Sequence, residues 1–161
     1  SFPRTANSMV FPELYRAGKI DLELVPQGTL AERIRCGGSG IPAFYTPTSL
    51  NTPLAQGKET KIINGEEYLL EHAIKADFAL VKCHIADRYG NLIYHATARN
   101  FGPIMCSASN VSIVQAKSIV KVGEIDPEII VTPGIFVKRI IEVKNPAHES
   151  ELVARQMKYP C

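Results

Sequence analysis

Leu22-Glu23-Leu24-Val25-Pro26-Gln27-Gly28-Thr29-Leu30-Ala31-Glu32-Arg33-Ile34 reads as a strand, a tight turn and the start of a helix. Leu22 and Leu24 alternate with a charged residue, and Val25 is β-branched, as a half-buried strand requires. Pro26 and Gly28 punctuate the chain. Thr29 followed by Glu32 has the spacing of a capping box, which predicts a helix over 29–35 closed by Gly37-Gly38. This reading sets Gln27 at the carboxyl end of a strand, the edge where open α/β sheets bind ligands. Its uncharged amide is a donor that can meet an oxyanion without titrating, or it can simply face water in a turn.

Outward from this stretch the pattern alternates strands with short helices. Glu13 to Ala17, stopped by Gly18, predicts a helix with a C-terminal glycine. Residues 37–58 are rich in Gly, Pro, Ser, Thr and Asn and read as one long loop. Lys61 to Leu70 reads as a hairpin, because Asn64-Gly65 suits a turn that needs positive φ at both positions. Phe78-Ala79-Leu80-Val81 has the continuous apolar character of a buried parallel strand. Asp87 to Asn91 is a turn, Leu92-Ile93-Tyr94 begins a strand, and Pro103 opens a helix. Val111 to Val114, Ile129 to Val131 and Ile135 to Val143 complete the strands, and Glu149 to Met157 is a weak helix in a polar tail over 144–161. The fold class is therefore α/β with an open, mainly parallel sheet and a β-hairpin addition.

Composition removes several functions. The 161 residues carry 18 basic and 16 acidic side chains, a net +2, with no clustered basic face for nucleic acid. No apolar run reaches the roughly 18 residues of a membrane span. Cys36, Cys83, Cys106 and Cys161 form no C-x-x-C pair, which fits reduced thiols and a cytoplasmic location better than disulfides or zinc. His72, His84, His95 and His148 show no H-x-x-x-H spacing, so no metal is expected. Ser49, Ser107 and Ser109 lack a nucleophile elbow. Cys83-His84 reads as packing, and Glu66-Glu67 as a solvated hairpin edge.

The ordered motifs carry a family likeness. Pro26 to Ile34, Gly37-Gly38-Ser39-Gly40, Phe44 to Thr48, Ala76 to Lys82, Asp87 to Leu92, Ala98 to Phe101 and Val131 to Ile135 resemble the A (alpha) chain type of the 3-oxoacid coenzyme A-transferases. The resemblance spans residues 1–143 and implies the CoA-transferase fold, related in outline to sugar-phosphate isomerases. The glycine-rich segment that opens the family's alpha subunit has no match here.

The resemblance also implies the chemistry. The nucleophilic glutamate belongs to a partner B subunit, so none is expected in this chain. That glutamate attacks an acyl-CoA, passes through an anhydride and becomes a glutamyl-CoA thioester before a 3-oxo acid takes the CoA. No cofactor is implied, since CoA is part of the substrate. Gln27 matches the family's oxyanion donor. Gly37, Gly38 and Gly40 either approach the acyl group or only end a helix. Arg99 either grips a substrate carboxylate or forms an internal ion pair, and Asn100 either orders the site wall or caps a turn. Phe2-Pro3-Arg4, Glu13 to Ile20 and Asn100 to Met105 are most similar to the 3-oxoadipate branch, which moves CoA from succinyl-CoA during aromatic degradation. Gly40 to Tyr45 is closer to the acetoacetate branch. A hetero-oligomer with the B subunit is expected. A non-catalytic effector-binding or assembly domain and a sugar-phosphate isomerase are the rival readings.

Overall fold

Alternating burial along two long strands organises the molecule. The computed structural model describes residues 10–145. β4 (Ala76–Asp87) and β6 (Ser109–Val120) pair in parallel from Ala76↔Ser109 to Asp87↔Val120. β5 (Leu92–Ile93) runs antiparallel on the outer side of β4, and β7 (Arg139–Glu142) runs parallel on the outer side of β6. Two of the three pairings in this sheet are thus parallel. The crossover from β4 to β6 carries β5, a 3₁₀ turn over Ala96–Arg99 and the helix α3 (Gly102–Ser107).

The second sheet is antiparallel. β2 (Thr60–Ile63) and β3 (Glu66–His72) form the expected hairpin, with Asn64 at φ 55° and Gly65 at φ 86°. β1 (Ala43–Thr46) pairs on the other side of β3, from Ala43↔His72 to Thr46↔Leu69. The hairpin therefore belongs to a three-stranded sheet. The stretch read as one loop over 37–58 contains β1 and a 3₁₀ turn at Pro53–Ala55, whose N-cap Thr52 accepts from the Leu54 N–H.

α1 (Val10–Arg16) ends as read, with Gly18 at φ 66°. α2 (Gln27–Gly38) differs from its reading at both ends. It begins two residues early, so Thr29 lies inside its first turn, buried, and no capping box forms. Glu32 instead bonds Arg35, three residues on, at 2.6 Å. At the other end Gly37 and Gly38 are helical, and the chain turns at Ser39 and Gly40, where Gly40 has φ 73°.

These glycines allow close packing. A Cβ on Gly37 would stand 2.0 Å from the Ile74 carbonyl oxygen, and one on Gly38 would stand 2.3 Å from Ser107 Oγ. α2 thus touches the link between β3 and β4 and the end of α3 at once.

Three strand readings change. Leu22 to Val25 is not a strand: no neighbour pairs with it among the described residues, and Leu24 stays 62% exposed. Gln27 consequently opens a helix without a strand before it. Ile129 to Val131 is not a strand: Ile129 ends a 3₁₀ turn that starts at Pro127, Ile130 and Val131 have no regular structure, and only Thr132 bridges to Leu92. Ile135 to Val143 contains a further 3₁₀ turn before β7. The helix read over Glu149 to Met157 lies outside the described residues.

The core gathers between the four-stranded sheet and α3. Ala79, Val81, Val114 and Ala116 meet Cys106, with Ala86 and Leu92 beside them. The strand around Phe78 is buried on this face only. On the other face Phe78 and Leu80 are 62% and 75% exposed, and Ile141 is exposed as well. A continuous apolar run tells period-two burial poorly, because both faces carry hydrophobic residues.

Gly37→Ala is expected to destabilise the chain by about 1–3 kcal/mol in urea unfolding, because the added methyl meets rigid backbone. An unchanged midpoint would show that α2 can retreat from Ile74 at no cost.

Candidate functional site

Gln27 is the first residue of α2. Pro26 sits at the N-cap with φ −55° and ψ 140°, and no side chain caps this end. The first turn closes with the Leu30 N–H donating to the Pro26 carbonyl at 2.9 Å. The leading N–H groups therefore point out of the helix, at the positive end of its dipole. A Cβ at Gly28 would meet nothing within 4 Å, so this end is open. Gln27 is exposed, and among the described residues its amide makes no side-chain hydrogen bond. This is a helix terminus with one neutral donor and room for a ligand.

The other expected site residues lie elsewhere. Gly37 and Gly38 are about 16 Å along the helix from Gln27, at ~1.5 Å per residue, and face Ile74 and Ser107. Gly40 has open space around it. Arg99 closes the 3₁₀ turn that leads into α3 and is exposed, with no ion pair among the described residues. That removes the internal ion pair as its role within this part of the chain. Asn100 follows at φ 31° and ψ −125°, and Ala96 opens the same turn at φ 48°. Left-handed backbone at non-glycine residues costs about 1–3 kcal/mol each and collects where function requires it.

Sequence reasoning missed a charged cluster behind α2. Glu71 on β3 is 2% exposed. It lies 2.6 Å from Lys58 Nζ and 3.8 Å from Arg33 Nη1. Arg33 also bonds Glu23 at 2.7 Å and the His72 carbonyl at 2.8 Å. The signal for it was period two on β3: Glu71 shares an inward face with Leu69, where a charge needs partners.

A second polar knot holds the turn after β4. The buried Asp87 carboxylate accepts from the N–H groups of Tyr89 and Asn91 and from Asn91 Nδ2. Asn91 Oδ1 in turn accepts from the Gly134 N–H at 2.9 Å.

The thiols are quiet. Burial pushes Cys83 up to about 12 and Cys106 to about 11, and it also raises Cys36. Tyr94 is pushed to about 12 for the same reason, against a lowering bond from Thr132. The His84 and His95 rings lie 5.4 Å apart, tilted by 40°. Among the described residues no three His, Cys, Asp or Glu side chains gather as a metal site, and no helix is long and apolar enough to cross a membrane.

The family model described as Coenzyme A transferase matches residues 1–143. The chain belongs to the coenzyme A transferase family. This transferase-family chain is 58% identical over 150 residues to the alpha subunit of 3-oxoadipate CoA-transferase from Pseudomonas putida, which covers 93% of it and 65% of that relative. It is 51% identical over 132 residues to the corresponding subunit of a probable succinyl-CoA:3-ketoacid coenzyme A transferase from Bacillus subtilis, with 82% and 56% covered. The chain thus spans about two thirds or less of the length of these relatives. Among solved structures, an acyl-CoA transferase from E. coli O157:H7 in a thioester complex with CoA superposes with TM-score 0.74. It covers 84% of this chain and 32% of its own, at 19% identity, which speaks to fold. The transferase fold expected from the motifs is the fold observed: mixed α/β with open sheets.

Glu71→Ala is expected to cost about 3 kcal/mol in urea unfolding, the lower end for breaking a buried ion pair, because Lys58 keeps a quarter of its side chain in water. Stability should also fall in alkali. An unfolded thiol titrates near 9.0, while folded Cys83 and Cys106 hold their protons to about 12 and 11. Above pH 9 the unfolded state therefore binds fewer protons, and the thiols' contribution, full below pH 9, is lost as pH rises through 11 and 12. Melting temperatures that stay flat from pH 9 to 11 would contradict this burial.

Proposed function

We propose that this chain is the alpha-subunit part of a CoA-transferase that moves CoA from succinyl-CoA to a 3-oxo acid, with 3-oxoadipate the favoured acceptor. The observation that carries the reading is the Gln27 amide, exposed and, among the described residues, unbonded at the open, uncapped start of α2. Identity to the alpha subunit of a 3-oxoadipate CoA-transferase over nearly the whole chain supports the choice of acid. The B. subtilis likeness keeps the 3-ketoacid acceptor as the second reading.

In this reading the nucleophilic glutamate comes from a B subunit, and the two form a hetero-oligomer. Each addition to a carbonyl builds negative charge on oxygen. Gln27 donates an N–H to that oxygen, and the helix dipole adds to the stabilisation. The neutral amide keeps this donor through the pH range in which carboxylates stay charged. Arg99 offers a planar fork for the acid's carboxylate, and Asn100 holds the strained turn that presents it. Gly37 and Gly38 serve the site through the seating of α2, and Gly40 through the turn that follows it. A cytoplasmic location is part of the same reading, which takes Cys36, Cys83 and Cys106 as free thiols.

The test is CoA transfer by the complex of this chain with its B subunit, from succinyl-CoA to 3-oxoadipate or to acetoacetate. Transfer to 3-oxoadipate with little to acetoacetate is expected. Gln27→Ala should lower kcat by roughly 10²–10³ with the complex intact, the loss typical of one oxyanion donor. Full turnover in that variant would remove Gln27 from the chemistry.

A further inference from the structure

Arg33 lies six residues after Gln27 on α2 and touches both stretches of chain that set where Gln27 stands. Its Nη1 donates to Glu23 Oε1 at 2.7 Å, four residues before Gln27. Its Nε donates to the His72 carbonyl at the end of β3, at 2.8 Å. Its own carbonyl accepts from the Ile74 N–H at 2.9 Å. Only 12% of the side chain is exposed. One arginine therefore bonds the arm leading into α2, the helix itself and the three-stranded sheet.

The arm needs such a hold. Residues 21–26 have no regular structure, and Leu22 and Leu24 are exposed, so apolar packing does little for them. Among the described residues, the bond from Arg33 to Glu23 is the arm's side-chain hydrogen bond. Charge balance alone does not explain this arginine. Lys58 already stands 2.6 Å from Glu71, whereas Arg33 is 3.8 Å away and points its short bonds at Glu23 and the His72 carbonyl. What the site uses is the rigid fork of donors, which a lysine lacks.

Building on the reading of Gln27 as oxyanion donor, we propose that Arg33 is its positioning residue. It fastens the 21–26 arm and α2 to β3, and so fixes the point from which the Gln27 amide donates. A misplacement of about 1 Å at a reacting centre can cost 10²-fold in rate, so the fastening bears on kcat.

The test is a double-mutant cycle in the transferase complex containing this chain, using succinyl-CoA and the acid that the wild type accepts. Arg33→Met should lower kcat about 10- to 100-fold and leave both KM values within about twofold. Arg33→Lys should recover only part of the loss. In the Gln27→Ala background, Arg33→Met should change kcat by less than about twofold, since the group it positions is gone. An equal loss in both backgrounds would show a purely structural role and overturn the proposal. Wild-type kcat in Arg33→Met beside an impaired Gln27→Ala would overturn the proposal and leave the role of Gln27 standing. Full turnover in Gln27→Ala would remove both. Should Arg33→Met fail to assemble, Glu23→Gln and Arg33→Lys run the same cycle with the same outcomes.

Discussion

The two sheets are joined because α2 comes into contact with backbone at Gly37 and with α3 at Gly38. α3 lies on the core face of β4 and β6, and α2 also meets β1 and β3. The helix is thus the shared neighbour of both sheets. Any side chain at either glycine would push it off one of them. The position of every group on α2, Gln27 included, follows from that contact.

Behind the contact lies an electrostatic constraint. Glu71 points inward from β3 at 2% exposure, where an unpaired carboxylate would be very costly. Lys58 and Arg33 compensate it from two different elements. The cluster is a weak source of net stability, since desolvation offsets much of the attraction. Its effect is geometric: Glu71 has both cations beside it only when β3, the loop before β2 and α2 have come together. Asp87 does the same for the four-stranded sheet, accepting three bonds in a turn whose Asn91 then holds Gly134.

Much of the fold was readable where the signal is local. Asn64-Gly65 specified its hairpin, Gly18 ended α1, and Pro103 sat in the first turn of α3, because each acts through its own φ or its missing N–H. Pairing was less readable. Leu22 to Val25 has a strand's pattern, yet a strand exists only beside a partner. Ala43 to Thr46, among turn-forming residues, became a strand because β3 offered an edge. At the site, the motif around Gln27 was visible, and the residue proved to be exposed at a helix start. The pairing of Arg33 with Glu71 was not, since 38 positions separate them and Glu71 lies outside the motifs. The close packing of Gly37 and Gly38 was hidden for the same reason: a glycine that flexes and a glycine that fits look alike in sequence.

The stitching of residues 91–94 to 132–134 has a consequence for chain length. Leu92 and Thr132 exchange backbone bonds, Tyr94 bonds the Thr132 hydroxyl, and Asn91 holds Gly134. This stitch fixes where the chain re-enters the sheet, whatever happens between β6 and Val131. The tip at Lys121 to Glu124 is exposed, while Ile125 just beyond it is buried as an anchor. Doubling a loop's length costs only about 0.6 kcal/mol of closure entropy. Lys121 to Glu124 is accordingly the place where this architecture can absorb inserted residues, or a grafted tag, without moving α2.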